Sequence, residues 1–291
     1  MAFPYNSIVQ AKPFKFFVGL EKSEFYIHPP VLSRYSKPLH ALMHTPMKES
    51  KEESAWLREV DEATFARFAE FLYTGDYPAA PHSIVITSQS ADLSTTVSEQ
   101  NSADAEPSSV IDRDAAQPVE DHDEGTAWSS KIGRKSKKRT KTATRSQGAW
   151  EQFLNSRCEL LVDWTPYTSR PNEEPCEEYT DVLLCHAKLY VLADTYDVER
   201  LRMLSLNKLH STLCAFTLYR ERTEDISRVL EYTYDHTSER DGNVDDMRVV
   251  MIEYIACKLE AFVHDPRFAE LIKGSNSISF DLMRQLLARL D

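Results

Sequence analysis

The sequence predicts an α+β fold that is interrupted by a long polar segment. Short alternating apolar patterns, typical of strands, lie near the N-terminus, and strongly apolar helical patterns fill the C-terminal half. Only 7 of the 291 residues are glycine, which argues against a sandwich of short, turn-rich strands. Residues 82–149 separate the two regions and contain few large apolar side chains.

Three strands are predicted before the polar segment. Over residues 14–18 the apolar side chains alternate and share one face, and residues 24–28 repeat the alternation after a short turn. The third strand is predicted over residues 56–60. The N-terminal part is therefore expected to contain three short strands.

The helix signals are equally local. Pro29-Pro30 suits the start of a short helix. Asp61 is a suitable N-cap, and Gly75 can adopt the left-handed conformation that ends a helix. The helix between them should bury one face, carrying Phe65, Phe68 and Leu72.

The C-terminal patterns predict further helices. Residues 181–194 are apolar on most faces, which is typical of a helix inside a domain, and Asp197 is predicted to cap the next helix. Beyond them we expect one longer helix from Val250 to Phe262, a short one capped by Asp265 and a last one. The remaining inward-facing side chains are predicted to be Leu201, Leu204, Leu209, Ile226, Val229, Leu230, Thr233, Leu282, Leu286 and Leu290.

Neither flank looks self-sufficient. The first is near the lower size limit for an independent core, and the second begins with a helix that needs a partner. Because loop closure costs only ~0.6 kcal/mol per doubling of length, one domain can tolerate a long insert. We therefore predict a split domain with a disordered insert. Its segments are a tail (1–11), a first half (12–81), the insert (82–149), a linker with second-half helices (150–213) and a helical extension (214–291).

Composition restricts the class of protein. The net charge is −12, and five cysteines without a CxxC pair read as reduced thiols. No apolar run has the ~20 residues of a membrane span, and the N-terminus lacks a secretory signal. These features predict an intracellular protein that does not bind membranes.

Four motifs in this order resemble the BTB/POZ domain, especially the type found in filamentous fungi. They are KPFKFFVG at 12–19, EFYIHPPVLSRYSKPLHAL at 24–42, REVDEATFARFAEFLYTGDY at 58–77 and VLLCHAKLYVLADTYDVERLRMLSLNKLHSTL at 182–213. The second contains the His-then-helix signature, with His28, Leu32, Ser33 and Ser36, and His28 is expected to close a turn by hydrogen bonding. The resemblance covers both flanks and skips the insert.

The resemblance implies a small sheet packed against a helical cluster, and a protein-interaction module that often self-associates. Some family members are substrate adaptors of cullin-type ubiquitin ligases. In many of those, a compact loop with a hydrophobic-x-Glu element lies where this chain has its insert. The protein partners implied are a second copy of the chain, as a homodimer, or a cullin. Residues with exposed or half-exposed positions at helix starts and ends are predicted to contact the partner: Tyr26, Tyr35, Leu39, Met43 and Met47.

Catalytic and cofactor motifs are not evident. The sequence contains no phosphate-binding GxxxxGK[ST] or GxGxxG loop. His40 and His44 have the i, i+4 spacing of metal ligands, but without HExxH they are interpreted as solvated or packed histidines. Cys185 on an apolar helix is interpreted as a buried, inert thiol. We therefore expect a non-enzymatic protein without a cofactor or metal.

The insert separates its charges into two blocks. Ten acidic residues lie from Asp92 to Glu124, and eight basic residues lie from Lys131 to Arg145. The basic run is either a solvated linker, or a nuclear-import signal or nucleic-acid patch. Import is favoured over nucleic-acid binding because no aromatic side chains interleave to stack bases. Duplex binding would rest on residues 131–145 alone and be weak, because the chain is net acidic. A nuclear or nucleo-cytoplasmic protein, even a chromatin cofactor, is the corresponding hypothesis. The import residues would be Lys131, Arg134, Lys135, Lys137, Lys138, Arg139 and Lys141.

Overall fold

A computed structural model describes residues 5–46, 48–85, 145–156, 167–239 and 242–289. Helices dominate these residues and two small sheets accompany them, so the predicted α+β class is confirmed. The two flanks, residues 1–86 and 143–291, form one compact unit. Among the described residues, no helix has the length and apolar character needed to cross a membrane.

The main sheet has three strands in the order β2-β1-β3. Strands β1 (Phe14–Val18) and β2 (Ser23–Ile27) form an antiparallel hairpin, and β3 (Ser54–Leu57) pairs with β1 in parallel. The predicted alternation is confirmed, because Phe14, Phe16 and Val18 are all buried. The third strand, predicted over 56–60, begins two residues earlier and ends three residues earlier, since β1 pairs with Ser54–Leu57 and the chain then turns toward Asp61.

Five helices accompany this sheet in the described N-terminal flank. They are α1 (Tyr5–Val9), α2 (Pro29–Tyr35), α3 (Lys37–His44), α4 (Lys48–Glu52) and α5 (Glu62–Thr74). The caps predicted for α5 are confirmed. The Asp61 side chain accepts a hydrogen bond from the Thr64 N–H, and Gly75 ends the helix with a φ of 84°. The α5 face carrying Phe65, Phe68 and Leu72 is buried, at about 1.5–3 kcal/mol per side chain.

Ordered elements extend into both ends of the segment predicted as insert. The short strand β4 (Ser83–Ile84) pairs antiparallel with β5 (Glu177–Glu178). Helix α6 (Arg145–Asn155) begins before residue 150 and buries Phe153 in the core. The disorder predicted for residues 86–144 lies outside the described residues.

The helical hairpin of α7 (Thr180–Thr195) and α8 (Glu199–Ala215) lies between two hydrophobic cores. Leu189 and Leu201 pack with the sheet and α5, whereas Leu183 and Leu209 pack with the C-terminal helices. This double burial explains why α7 is apolar on most faces. The prediction that Asp197 caps α8 is wrong. The N-cap of α8 is Val198, and Asp197 lies in the preceding turn with a φ of 52°.

The C-terminal helices complete the second core. A 3-10 turn at Arg220–Arg222 leads into α9 (Thr223–His236), followed by α10 (Asp246–Cys257), α11 (Leu259–Phe262), α12 (Pro266–Gly274) and α13 (Asn276–Leu287). The face predicted for α9 is buried, and Asp265 caps α12 as predicted. The prediction of a single helix from Val250 to Phe262 is wrong. The helix is interrupted at Lys258, whose N–H donates to the carbonyls of Tyr254 and Ile255.

Candidate interaction surface

The side of the sheet turned away from the core carries aromatic and charged side chains. Successive residues of a strand point to opposite faces, so this side presents Lys15, Phe17, Glu24, Tyr26 and Trp56, which we call the outer sheet face. Lys15 lies opposite Tyr26, and Phe17 lies opposite Trp56. Tyr26 is 52% exposed and Trp56 is 47% exposed, which is unusual for such large side chains.

One end of the outer sheet face is organised around the Glu24 carboxylate. It accepts a hydrogen bond of 2.6 Å from the Tyr26 hydroxyl and lies 3.0 Å from the Lys15 ammonium. Hydrogen bonding with Tyr26 and then with Lys15 lowers the pKa of Glu24, and bonding with Tyr26 and Glu24 raises the pKa of Lys15. Glu24 and Lys15 therefore keep their opposite charges over a wider pH range, and the hydrogen bond to Glu24 holds the Tyr26 ring in one orientation.

The other end is organised around Trp56. Its indole N–H donates to the Gly19 carbonyl at 2.9 Å. The Lys22 ammonium lies 4.4 Å from the ring centroid and the Arg58 guanidinium 5.7 Å from it, both within cation–π range. The exposed Leu20 lies at the adjacent hairpin tip. Trp56 is thus a fixed aromatic side chain with a basic rim.

This arrangement suits binding by contact. Tyr, Trp and Arg dominate the energetics of protein interfaces, and side chains that are already ordered lose less entropy on binding. Sequence reasoning identified Tyr26 but missed Trp56 and Lys15. The alternation along β1 and β2 could have found Lys15, whereas Trp56 required the correct bounds of β3.

The other predicted partner contacts are distributed differently. Tyr35 is half-buried, and its ring packs against Phe71 at a centroid distance of 5.3 Å. The exposure predicted for Leu39 and Met43 is wrong: they are 1% and 8% exposed, because this face of α3 packs into the core under the sheet. Met47 lies outside the described residues, as do the seven import candidates Lys131, Arg134, Lys135, Lys137, Lys138, Arg139 and Lys141.

As expected, His28 closes a turn at the start of α2, because its carbonyl accepts a hydrogen bond from the Val31 N–H at 3.0 Å. His28 also makes a long-range contact. Both its backbone N–H and its Nδ1 bond to the hydroxyl of Tyr73, at 3.1 and 2.8 Å, so it links the start of α2 to the end of α5. The spacing of 45 residues explains why sequence reasoning could not identify this partner.

A buried ammonium joins the two flanks. Lys208 of α8 is 2% exposed and donates to an Asp76 carboxylate oxygen and to the Tyr77 carbonyl, each at 2.5 Å. Its Nζ lies 4.2 Å from the ring centroid of Tyr77 and 4.7 Å from that of Tyr167. We call Asp76, Tyr77, Tyr167 and Lys208 the junction cluster. It closes the domain where the insert leaves it.

His186 of α7 lies beside the junction cluster. Its Nδ1 is 2.9 Å from the Tyr77 hydroxyl, and its Nε2 has no hydrogen-bond partner among the described residues. Burial, followed by the nearby Lys208 ammonium, lowers the pKa of His186 to about 3. The ring is therefore neutral at physiological pH.

The thiol of Cys185 is 6% exposed, as predicted, and burial raises its pKa. Its Sγ lies 3.7 Å from the His186 Nδ1. Within the described ranges, no group of three or more His, Cys, Asp or Glu side chains could hold a metal ion. A buried thiol with a raised pKa is a poor nucleophile, so these two residues are read as core.

Comparison with models of known protein families gives no match, and comparison with curated proteins gives none either.

Proposed function

We propose that the chain is a non-enzymatic protein–protein interaction module of the BTB/POZ type, which associates with a second copy of itself through the outer sheet face. Support for the family comes from the four sequence motifs and from the element order: a hairpin, the α2–α3 pair, a strand parallel to β1, α5, and the α7–α8 hairpin. The proposal involves no cofactor.

The observation that carries the self-association is the outer sheet face itself. A two-fold interface uses the same patch on both copies, so the patch must complement itself. Lys15 and Glu24 supply opposite charges side by side, and Tyr26 and Trp56 supply apolar contact area. Two such faces can pair oppositely charged groups around a central aromatic contact.

The size of the face limits the expected affinity. Two strands of five residues and one of four span roughly 14 by 17 Å, which is about 240 Å² in projection, whereas a standard interface buries about 800 Å² per partner. The dimer must therefore include neighbouring surface, such as the hairpin tip at Leu20. We expect weak, concentration-dependent association and not a permanent dimer.

Sedimentation velocity across a wide range of protein concentration tests this proposal. The wild-type chain should shift from monomer to dimer, and a Tyr26→Ser, Trp56→Ser double variant should stay monomeric with an unchanged circular dichroism spectrum. Phe280→Ser is the matched control, because Phe280 is 60% exposed on α13, and it should dimerise like wild type. A wild-type chain that is monomeric at every concentration, or a double variant that dimerises normally, would refute the outer-face dimer.

The ligase-adaptor and nuclear-cofactor hypotheses depend on residues 82–149, most of which lie outside the described residues. A pull-down that retains a cullin would support the first. Loss of nuclear accumulation or of DNA affinity on deleting residues 131–145 would support the second. Localisation to the nucleus or to both nucleus and cytoplasm remains a prediction.

A further inference from the structure

Two exposed histidines on α3 form a pair whose geometry differs from that of independently solvated side chains. The rings of His40 and His44 stack with centroids 4.2 Å apart and planes 24° from parallel. Both are exposed, while the opposite side of the same helix is buried through Leu39 and Met43. The two imidazoles therefore project together into solvent from a helix that the core holds in place.

The hydrogen bonds of the pair leave the same ring atom available on both residues. The Nδ1–H of His44 donates to the His40 carbonyl at 2.9 Å, and because a carbonyl only accepts, the lone pair of His44 lies on Nε2. The Nδ1 of His40 lies 2.7 Å from the Ser33 hydroxyl, which can accept its proton. When it does, Nε2 of His40 also carries a lone pair.

Metal-bound histidines in proteins show this arrangement. The ring nitrogen that does not bind the metal usually donates to a carbonyl or another oxygen, which fixes the tautomer and the ring orientation. Two histidines at i and i+4 on one helix face are a known zinc-binding spacing. With Zn–N bonds of about 2.0–2.1 Å, one ion holds two nitrogens about 3.4 Å apart, so the two Nε2 atoms must lie at about that separation when the ion is bound.

We propose that His40 and His44 form a two-histidine site for a divalent late transition metal ion, with Nε2 of each ring as ligand and Ser33 as the residue that orients His40. Imidazole nitrogens favour zinc, nickel and copper over magnesium and calcium, which prefer oxygen ligands. No third protein ligand adjoins the pair among the described residues, so water or a donor from a binding partner fills the other positions. The site lies on α3 and is separate from the outer sheet face and the junction cluster.

Isothermal titration of the full chain with Zn²⁺, and separately with Ni²⁺ and Mg²⁺, tests the site. Chelation by two linked ligands raises affinity by about 10²–10⁴-fold, so His40→Gln and His44→Gln should each weaken Zn²⁺ binding about a hundredfold. Ni²⁺ should bind with an affinity similar to that of Zn²⁺, because imidazole nitrogen suits both ions. Mg²⁺ should not bind, because it prefers oxygen ligands. Ser33→Ala should weaken Zn²⁺ binding by about tenfold through loss of ring orientation.

His236→Gln is the matched control. Its exposed ring makes the same local bond, from Nδ1 to the Tyr232 carbonyl at 2.9 Å, and stacks on an aromatic ring, but that ring belongs to Tyr232 and not to a second histidine. This variant should bind Zn²⁺ like wild type.

Imidazole ¹⁵N spectra of the full chain give a readout besides affinity. Zn²⁺ should shift the Nε2 resonances of His40 and His44 together and leave that of His236 unchanged. Wild-type binding no tighter than that of the His40→Gln, His44→Gln double variant would overturn the proposal. A zinc shift confined to other histidines would do the same.

Discussion

Replacing Lys208 with methionine tests whether the junction cluster holds the split domain together. Methionine keeps most of the side-chain volume but removes the ammonium. The buried Tyr77 carbonyl then loses its donor, at about 1–3 kcal/mol, and two cation–π contacts are lost, at about 2 kcal/mol when desolvated. The Asp76 carboxylate is 58% exposed, so losing that ion pair adds at most about 1 kcal/mol.

Part of this loss is offset, because methionine does not carry the desolvation cost of a buried ammonium. We expect a net decrease of about 2–3 kcal/mol in the free energy of unfolding. For a unit of this size, each kcal/mol corresponds to about 2–4 °C, so the melting temperature should fall by roughly 4–12 °C. Urea denaturation followed by circular dichroism, together with a thermal melt, measures both quantities.

Lys188→Met is the matched control for this experiment. Lys188 on α7 also pairs with a carboxylate, that of Asp61 at 3.0 Å, but its side chain is 36% exposed. Losing such a partly exposed ion pair should cost no more than about 1 kcal/mol. If Lys208→Met destabilised the protein no more than Lys188→Met does, the junction cluster would not be the link that closes the domain.

Two further predictions concern the same junction. Co-expressed fragments 1–85 and 145–291 should copurify as one folded body, because Lys208 and the shared core join them; recovery of either fragment alone, soluble and with a cooperative melt, would contradict this. The lowered pKa of His186 makes stability depend on pH, since the unfolded chain takes up a proton below about 6.5 and the folded chain only near 3. As the pH is lowered from about 6.5 to about 3, the free energy of unfolding should therefore fall by about 1.4 kcal/mol per pH unit, after correction for other titrating groups. In a His186→Gln variant, which can still bond to the Tyr77 hydroxyl, this slope should be smaller by that amount, and an unchanged slope would show that His186 is not the group responsible.

Local signals in the sequence were sufficient for a large part of the fold. The alternation along β1, the caps at Asp61 and Asp265 and the left-handed Gly75 depend on neighbouring residues within one turn or strand, and the structure has each of them. Apolar residues on most faces of α7 correctly indicated a helix that is buried on several sides.

Features that depend on long-range pairing were not predictable. The bounds of β3 follow from its register with β1, and the break at Lys258 lies inside an uninterrupted helical pattern. Leu39 and Met43 have a periodicity that shows they share a face, but not whether another element covers that face. Helix α6 was missed because its few apolar residues, Trp150 and Phe153 among them, follow a polar segment.

The same limit applies to the candidate surfaces. Sequence named Tyr26, and noted the spacing of His40 and His44, but it could not place Trp56 beside Phe17 or determine which ring nitrogens are engaged.

By itself, then, the sequence determined the α+β class, the helix caps at Asp61, Gly75 and Asp265, and the expectation that two flanks form one domain. Only the tertiary structure decided which faces are covered, and it assigned Lys208 to a buried site between Asp76 and two tyrosine rings. The physical reason is that capping and periodicity act between residues a few positions apart, whereas the burial and pairing of Lys208 depend on Asp76 and Tyr77, which lie more than a hundred residues away in the chain.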